Sequence, residues 1–534
     1  MIKKIAALSI FAICTCHTNS LASPPLDAVK PIADRLIEDT SFKLHRLPVR
    51  EVGFPLIITP CSPRGQSGST IRFIAECDKE YRLGVASEGT ASIQIDSISY
   101  TTSGTKRYPQ EIAYDTYLFE NYLSVNLKKG PHQIRFQANR TASIGFVTRM
   151  DLADPDISQI VFENGPVEQE FEKRYTIPGK AAFQKHTYAE WHYANATTLL
   201  GLLNLADAVR EEKYTSHVRR FCENTLKNRE LFARQYYEMG SLRTQNYRMF
   251  RRAMLDDTSA PALPFVELAL RDPTDTTGRQ LLKSMADFVM QEQFRLPDST
   301  FVRPEPRWTV WSDDLFMSSA FLVRYAALSH DQTYLEEAVR QVIAYDRYLR
   351  DPESGLMYHG WNDSLKRHVG AFWGRANGWF AWAVSEVLAR LPASHPQFET
   401  IRQIHRRHLE ALAEFQAPSG MWHQLLDDST TYEESSATAI FVLTMARAVN
   451  NGWIDRRFAR NALAGWRGLT GKFAPRGVVH GICRSMSIND DPSAYAARAT
   501  ADNDPRGLGA IFTAAVEIST LEQQLMNHTQ NSKP

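Results

Sequence analysis

The sequence predicts an all-α toroid of helical hairpins preceded by a small β-sandwich. Three observations carry this. An early segment alternates apolar and polar residues with period two, as half-buried strands do. After residue 180 the period becomes helical. Two glycine-bearing stretches then recur at an interval that fits one helical hairpin. The length of 534 residues suits two or more domains.

The amino terminus reads as an export signal. Lys3 and Lys4 precede the short apolar run "IAALSIFAIC", and the polar "HTNSLAS" follows. Small residues Ser20 and Ala22 favour cleavage near Ala22, so residues 1–22 are expected to be a signal peptide. The run is too short to anchor stably in a bilayer. Ile13 and Thr15 stand where a lipoprotein carries small residues, so neither Cys14 nor Cys16 is expected to be lipidated. The mature chain is expected to be exported, periplasmic or extracellular, with no membrane partner.

Residues 25–165 read as strands. "SIQID" places Ile93 and Ile95 on one face, and "EYRLGVAS" alternates as well. "SVNLKKGPHQIRF" gives Val125 and Leu127, a turn, then Ile134 and Phe136, which reads as a hairpin. A β-sandwich fits. It could be a carbohydrate-binding module, but the plainer reading is a prop for its neighbour, since fold alone seldom fixes function. Cys61 and Cys77 in this region could form a disulfide in an oxidising compartment. Cys222 and Cys483 read as isolated, buried thiols. No CxxC or HxxxH-type cluster suggests a metal site.

A charged, Pro/Gly-bearing linker follows over 162–180. "TYLEEAVRQVIAYDRYLRD" (333–351) is the clearest helix. Thr333 and Glu336 suggest a capping box, and Leu335, Ala338, Val339, Val342, Ile343 and Leu349 line one face. "SGLMYH" (354–359) and "SGMWH" (419–423) each follow a long helix, with Gly355 and Gly420 in matching places. Two helices and their loops fill that interval. Residues 166–534 therefore hold about six such hairpins, an (α/α)6 ring whose connecting loops line a funnel at one end.

Composition narrows the partners. Basic and acidic side chains balance at 61 and 60, which argues against nucleic acid, because phosphate binding needs a basic face. Aromatic residues make up 11% of the chain, and they crowd the polar loops. "WGRANGW" (373–379) sets Trp373 and Trp379 around Arg375. "RWTVWSDDLFM" puts Asp313 and Asp314 in the first turn of a helix that Ser312 can cap. Neighbours on a helix point about 100° apart, so both carboxylates rarely enter one pocket. Trp308 and Trp311 can desolvate the one that does, whereas the plainer role for both is to stabilise the helix dipole. Asp256 and Asp257 repeat the device before another apolar run. His359, Trp361, Trp422, His423, Gln424, Trp191 and Tyr193 lie in similar loops. Rings stack on sugar C–H faces, and a guanidinium forks onto a carboxylate. An acidic sugar is the simplest guest.

"WSDDLFM", "YHGW", "FWGRANGW" and "GMWHQLLDDS…YEESSATAIF", in this order, resemble the unsaturated glucuronyl/rhamnogalacturonyl hydrolases, glycoside hydrolase family 105 and its relative family 88. The likeness runs over roughly 185–490. It implies an (α/α)6 toroid that hydrates the C4=C5 vinyl ether of a 4,5-unsaturated uronic acid at the non-reducing end of lyase-generated oligosaccharides. An aspartic acid protonates C4, water adds at C5, and the hemiketal collapses. The resemblance makes Asp313 the acid/base and Asp256 its partner in placing sugar and water. It makes His359 the pocket histidine, and Trp373, Arg375 and Trp379 the uronate holders, with Tyr193 a looser match. Trp422 and His423 join the expected substrate-binding set. To act as an acid near neutrality, Asp313 needs a raised pKa. These are polar steps, so no cofactor is expected. The rival readings are an ordinary exo-glucuronidase on a saturated uronate and a non-catalytic protein that binds acidic glycans.

Overall fold

The computed structural model describes residues 25–42, 69–75, 78–87, 89–105, 110–113, 116–118, 120–138, 142–146, 160–162, 188–233, 245–303 and 308–531. The expected signal segment, Cys61, Cys77 and nearly all of the linker lie outside the described residues.

The first surprise is at the start. Residues 25–39, expected among the strands, form helix α1 (Pro25–Asp39). Val29, Ile32, Ala33 and Leu36 recur at helical spacing, and they are buried in the same core as the later helices. The strands therefore lie between α1 and the rest of the helical chain.

Those strands make two antiparallel sheets. Strands β1 (Ser69–Ala75), β3 (Gly89–Ile95), β4 (Ile98–Gly104), β8 (Gly130–Ala138) and β10 (Ile160–Phe162) form one, in the order β10-β1-β8-β3-β4. Strands β2 (Lys79–Ser87), β7 (Asn121–Leu127) and β9 (Ala142–Phe146) form the other, in the order β7-β2-β9. A separate pair joins β5 (Gln110–Ala113) to β6 (Thr116–Leu118). Strand β4 lies against β2 and β7, so the two main sheets touch. Ile93, Ile95, Val125, Leu127, Ile134 and Phe136 are all buried, as their alternation requires. The expected hairpin over 124–136 is not one. β7 pairs with β2, whereas β8 pairs with β1 and β3, so the turn carries the chain from one sheet to the other. The Lys129 N–H donates to Asp78 Oδ1 and pins that crossing.

The helices close into a double ring. The inner ring holds α2 (Tyr193–Val209), α4 (Leu263–Arg271), α6 (Ser312–Ser329), α8 (Gly374–Leu388), α10 (Ser435–Asn450) and α12 (Pro505–Asn531). Each packs on the next, and α12 returns to α2. The outer helices are α3 (Glu212–Lys227), α5 (Arg279–Asp287), α7 (Thr333–Leu349), α9 (Phe398–Glu414) and α11 (Ala459–Thr470). Helix α1 packs on α12, α2 and α3, so residues from before the strands supply the sixth outer helix. The sequence distinguishes the two rings. Every residue of α8 is buried, so that helix carries no polar stripe, whereas α3 buries only Tyr214, His217, Val218, Phe221, Cys222 and Thr225.

Gly355 and Gly420 hold equivalent places, each in an outer-to-inner connection and each with positive φ (73° and 91°). The helix over 333–349 stands as expected, but its cap does not. Gln332 is the capping position, and Asp331 Oδ1 accepts from the Thr333 N–H and hydroxyl. Cys222 and Cys483 are buried free thiols.

Where the ring closes, α2 and α12 meet backbone to backbone. A Cβ on Gly509 would sit 2.1 Å from the Thr197 carbonyl oxygen, and one on Gly201 would sit 2.5 Å from the Gly509 carbonyl. Gly509→Ala is expected to cost ~1–3 kcal/mol through this overpacking. Thermal unfolding checks it, and an unchanged midpoint would contradict backbone-to-backbone closure.

One end of the inner ring is belted by ion pairs. Arg271 of α4 reaches Asp207 of α2 at 2.8 Å, and Glu267 of α4 meets Arg324 of α6 at 2.8 Å. Arg324 meets Glu386 of α8 at 2.8 Å, Glu386 meets Arg447 of α10 at 2.8 Å, and Arg447 meets Glu517 of α12 at 2.6 Å. Arg324 lies eleven residues beyond Asp313 on one helix, about 16 Å along the axis at 1.5 Å per residue. The candidate chemistry therefore sits at the opposite end, where the inner helices begin.

Candidate active site

Helix α6 starts immediately after a short strand, β11 (Thr309–Trp311). That strand pairs with β12 (Gly360–Asn362), which pairs with β13 (Arg367–Val369). The sheet sets His359, just before β12, beside the first turn of α6. The Ser312 N–H donates to the His359 carbonyl. Ser312 does not cap its helix. It is the first helical residue, and its hydroxyl donates to the Ala376 carbonyl, tying α6 to α8.

The two carboxylates of this turn diverge, as the helical angle requires. The Asp314 side chain is 1% exposed and takes two hydrogen bonds from Arg303, one from Nε at 2.8 Å. The Asp313 side chain is 16% exposed, and its Oδ2 lies 3.3 Å from His359 Nε2 without hydrogen-bond geometry. Asp313 Oδ2, His359 Nε2 and Trp311 Nε1 are three buried polar atoms without a hydrogen-bond partner among the described residues. His359 makes ring contacts with Trp311 (5.4 Å between centroids) and Trp373 (4.9 Å). Unpaired buried polar atoms are costly, so their gathering at one place marks where a ligand would satisfy them.

Asp256 lies on the other side of Arg303. Its Oδ1 accepts from Arg303 Nη2 at 2.8 Å, and the guanidinium also covers the Trp311 ring at 4.4 Å. One cation thus serves two carboxylates. Burial drives Asp256 upward and Arg303 opposes it, while Asp314, Asp257 and Asp313 add to the rise, leaving the group at about 7. Asp314 is also raised, chiefly by burial, against the pull of Arg303. Asp257 is a scaffold residue. It is fully buried and paired with Arg251, and its carbonyl accepts from the Trp191 indole at 2.7 Å.

The expectation of a raised Asp313 is reversed. Burial pushes it up, but His359, Arg303 and Arg375 outweigh that, and the carboxyl ends below its usual range. Three nearby cationic or cation-capable groups overcome desolvation.

The heptapeptide 373–379 turns out to frame the site rather than face a ligand. Arg375 is 1% exposed, and both its Nη groups are engaged by the carbonyls of Cys483 and Arg484 and by Ser436 Oγ, so of the fork expected to grip a uronate only Nε lacks a partner among the described residues. Trp373 is buried, donates to Gln424 Oε1 and backs His359. Trp379 is a core ring against Phe316 and Trp382. Trp422 is also core, with its indole donating to the Leu412 carbonyl. Tyr193 is largely buried and accepts from Arg506 Nε at 3.2 Å. His423 is half-buried, with Nδ1 2.6 Å from the Thr431 carbonyl. Of the two rings expected to desolvate Asp313, Trp311 is buried against His359 and Arg303, whereas Trp308 is 42% exposed.

The structure therefore brings together Asp313, His359 and Asp256, and adds three residues that sequence reasoning missed. Arg303 sits in "FVRPEPRW", where no spacing rule marks it. Tyr495 lies in the polar stretch after residue 483. Arg506 opens α12 beside Tyr193. The inner helices all begin around this end, and helix amino termini favour an anionic guest. Among the described residues no group of His, Cys, Asp and Glu could hold a metal, and no helix is long and apolar enough to cross a membrane.

The chain is similar to several known proteins. The model of Glycosyl Hydrolase Family 88 matches residues 167–522. The unsaturated rhamnogalacturonyl hydrolase YesR of Bacillus subtilis (strain 168) is 31% identical over 190 residues, 34% of this chain and 54% of that protein. The chain thus spans about half the length of that relative. The unsaturated 3S-rhamnoglycuronyl hydrolase of Alteromonas sp. (strain LOR) is 26% identical over 335 residues, 61% of this chain and 77% of that protein. A solved structure described as a possible GH105 member from Salmonella enterica serovar Paratyphi A shares the fold, with a TM-score of 0.55 and 22% identity over 63% of this chain and 84% of its own.

Proposed function

This chain belongs to Glycosyl Hydrolase Family 88, and we propose that it removes a 4,5-unsaturated uronic acid from the non-reducing end of an acidic oligosaccharide by hydrating the C4=C5 double bond. The observation that carries the reading is the unpaired set Asp313 Oδ2, His359 Nε2 and Trp311 Nε1, beside the Asp256–Arg303–Asp314 group. The named activities of the two relatives point the same way.

In this reading Asp313 is the catalytic acid and base. The free site holds it ionised. A uronate carboxylate arriving nearby adds negative charge, which raises the Asp313 pKa and lets it take a proton. That proton goes to C4, and the positive charge develops at C5 and the ring oxygen. Water attacks C5 and returns a proton to the Asp313 carboxylate. The hemiketal opens, and the rest of the oligosaccharide leaves. Asp256 helps place sugar and water, and its raised pKa lessens the repulsion it offers an anionic guest. The usual link between carboxylate spacing and stereochemical outcome does not govern this reaction.

We also read the two sheets as a small β-sandwich, supported by their mutual contact and buried alternate residues. Residues 1–22 we propose as an export signal, which would place the enzyme in the periplasm or outside the cell. The test of function is a set of lyase digests of rhamnogalacturonan, ulvan, arabinogalactan and glycosaminoglycan, followed by the ultraviolet band of the conjugated enoate. One digest is expected to lose that band. If every digest kept its band under conditions where the chain is folded, the reading would fail.

A further inference from the structure

The segment 484–499 runs between two short paired strands, Ile482–Cys483 and Thr500–Ala501, and straps the β12–β13 side of the site. Asp490 holds it there, accepting from Arg367 at 2.6 Å and from the Gly370 N–H at 3.2 Å. Its most buried member is Tyr495, whose hydroxyl lies 2.7 Å from His359 Nδ1.

We propose that Tyr495 is a positioning residue that fixes the tautomer of His359, putting the ring proton on Nε2, where it faces Asp313. The inference rests on the reading of Asp313 above for its functional consequence, but its geometry stands apart. The phenol oxygen accepts from the Asn489 N–H at 3.2 Å, and its other hydrogen-bond partner among the described residues is His359 Nδ1. A hydroxyl has two acceptor lone pairs and one hydrogen. The Asn489 N–H can only donate, so the partner able to accept the hydroxyl hydrogen is His359 Nδ1, whereas an Nδ1–H there would leave that hydrogen without an acceptor among the described residues. A neutral imidazole that accepts at one nitrogen carries its proton on the other. His359 is 0% exposed, so solvent cannot choose the tautomer instead.

The ring's other neighbours leave that assignment unopposed. Trp311 and Trp373 touch the ring without hydrogen-bonding to it, Arg375 stands behind Trp373, and Asp314 is engaged by Arg303. The charged group facing Nε2 is Asp313. An Nε2–H can donate to that carboxylate, whereas a bare Nε2 would repel it. The 3.3 Å separation is of the kind that tightens when substrate binds. Gly370 makes the approach sterically feasible. Its φ is +80°, and a Cβ there would sit 2.7 Å from the Tyr495 hydroxyl and 2.8 Å from His359 Cβ.

The test is nitrogen NMR of the full chain labelled with 15N-histidine, with the His359 signal assigned by its loss in His359→Gln. The wild type is expected to show the Nε2–H tautomer. Tyr495→Phe is expected to shift it to a mixture or to Nδ1–H. It should also lower kcat by ~10- to 100-fold, the scale on which partners that orient a functional histidine act. KM and the thermal midpoint should change little. A wild-type signal showing Nδ1–H would overturn the proposal without need of any variant that must fold. So would an unchanged tautomer in Tyr495→Phe. An Nε2–H signal in a chain that consumes no enoate would sink the proposed function and leave the tautomer assignment standing.

Discussion

Asp313→Asn is expected to leave the fold intact and to lower turnover ~100- to 10,000-fold, the usual loss when a proton-transfer group is removed. The amide keeps the shape of the side chain and cannot deliver a proton to carbon. Its cost to stability should be smaller than that of Asp314→Asn, because Arg303 keeps Asp256 and Asp314 as partners. Asp314→Asn should behave oppositely. It removes a carboxylate that takes two hydrogen bonds from a buried guanidinium, so its main effect should be on thermal stability. Steady-state kinetics and thermal melts on the pair separate the roles. Full activity in Asp313→Asn together with its loss in a well-folded Asp314→Asn would show that the other carboxylate does the chemistry.

Arg303→Met is expected to be among the most damaging single changes to stability. It strands Asp256 and Asp314 in a buried site, and breaking a buried pair from one side typically costs ~3–5 kcal/mol. The pH dependence has a definite sign. Burial already raises both carboxyls, and Arg303 is what opposes the rise. Without it the folded state binds protons more tightly than the unfolded chain, whose carboxyls have ordinary values. Stability then falls as pH rises through the carboxyl range and beyond. The deficit should be smallest in mild acid and largest above neutrality. Melts of Arg303→Met across that range check the claim. A deficit that grew as pH fell would contradict the assignment of Arg303 as the counter-charge.

The sequence carried the architecture through two signals that survive folding. The equivalent glycines at 355 and 420 set the hairpin period, and the apolar face of the helix over 333–349 marked one of its members. It did not show that 25–39 closes the outer ring, since a single amphipathic helix ahead of strands carries no mark of its distant partner. At the site, the first-turn position of Asp313 was legible. Which neighbour faces the pocket was legible only through the family resemblance, because in physical terms it depends on Arg303, ten residues upstream in a Pro-bearing loop. The heptapeptide 373–379 misled for a physical reason. Rings beside a cation look the same whether they hold a ligand or hold one another, and here the cation was spent on the carbonyls of residues 483 and 484. Tyr495 was invisible because its role exists only where the strap meets His359.

The most direct measurement pairs two oligosaccharides that differ only at the terminal sugar, one ending in an unsaturated uronate and one in its saturated counterpart. The ultraviolet band of the enoate and the release of the shortened oligosaccharide are followed together. The account predicts that the band disappears in step with release from the unsaturated substrate and that the saturated one is untouched. Cleavage of the saturated substrate, or release that leaves the enoate band in place, would contradict hydration of the double bond at Asp313.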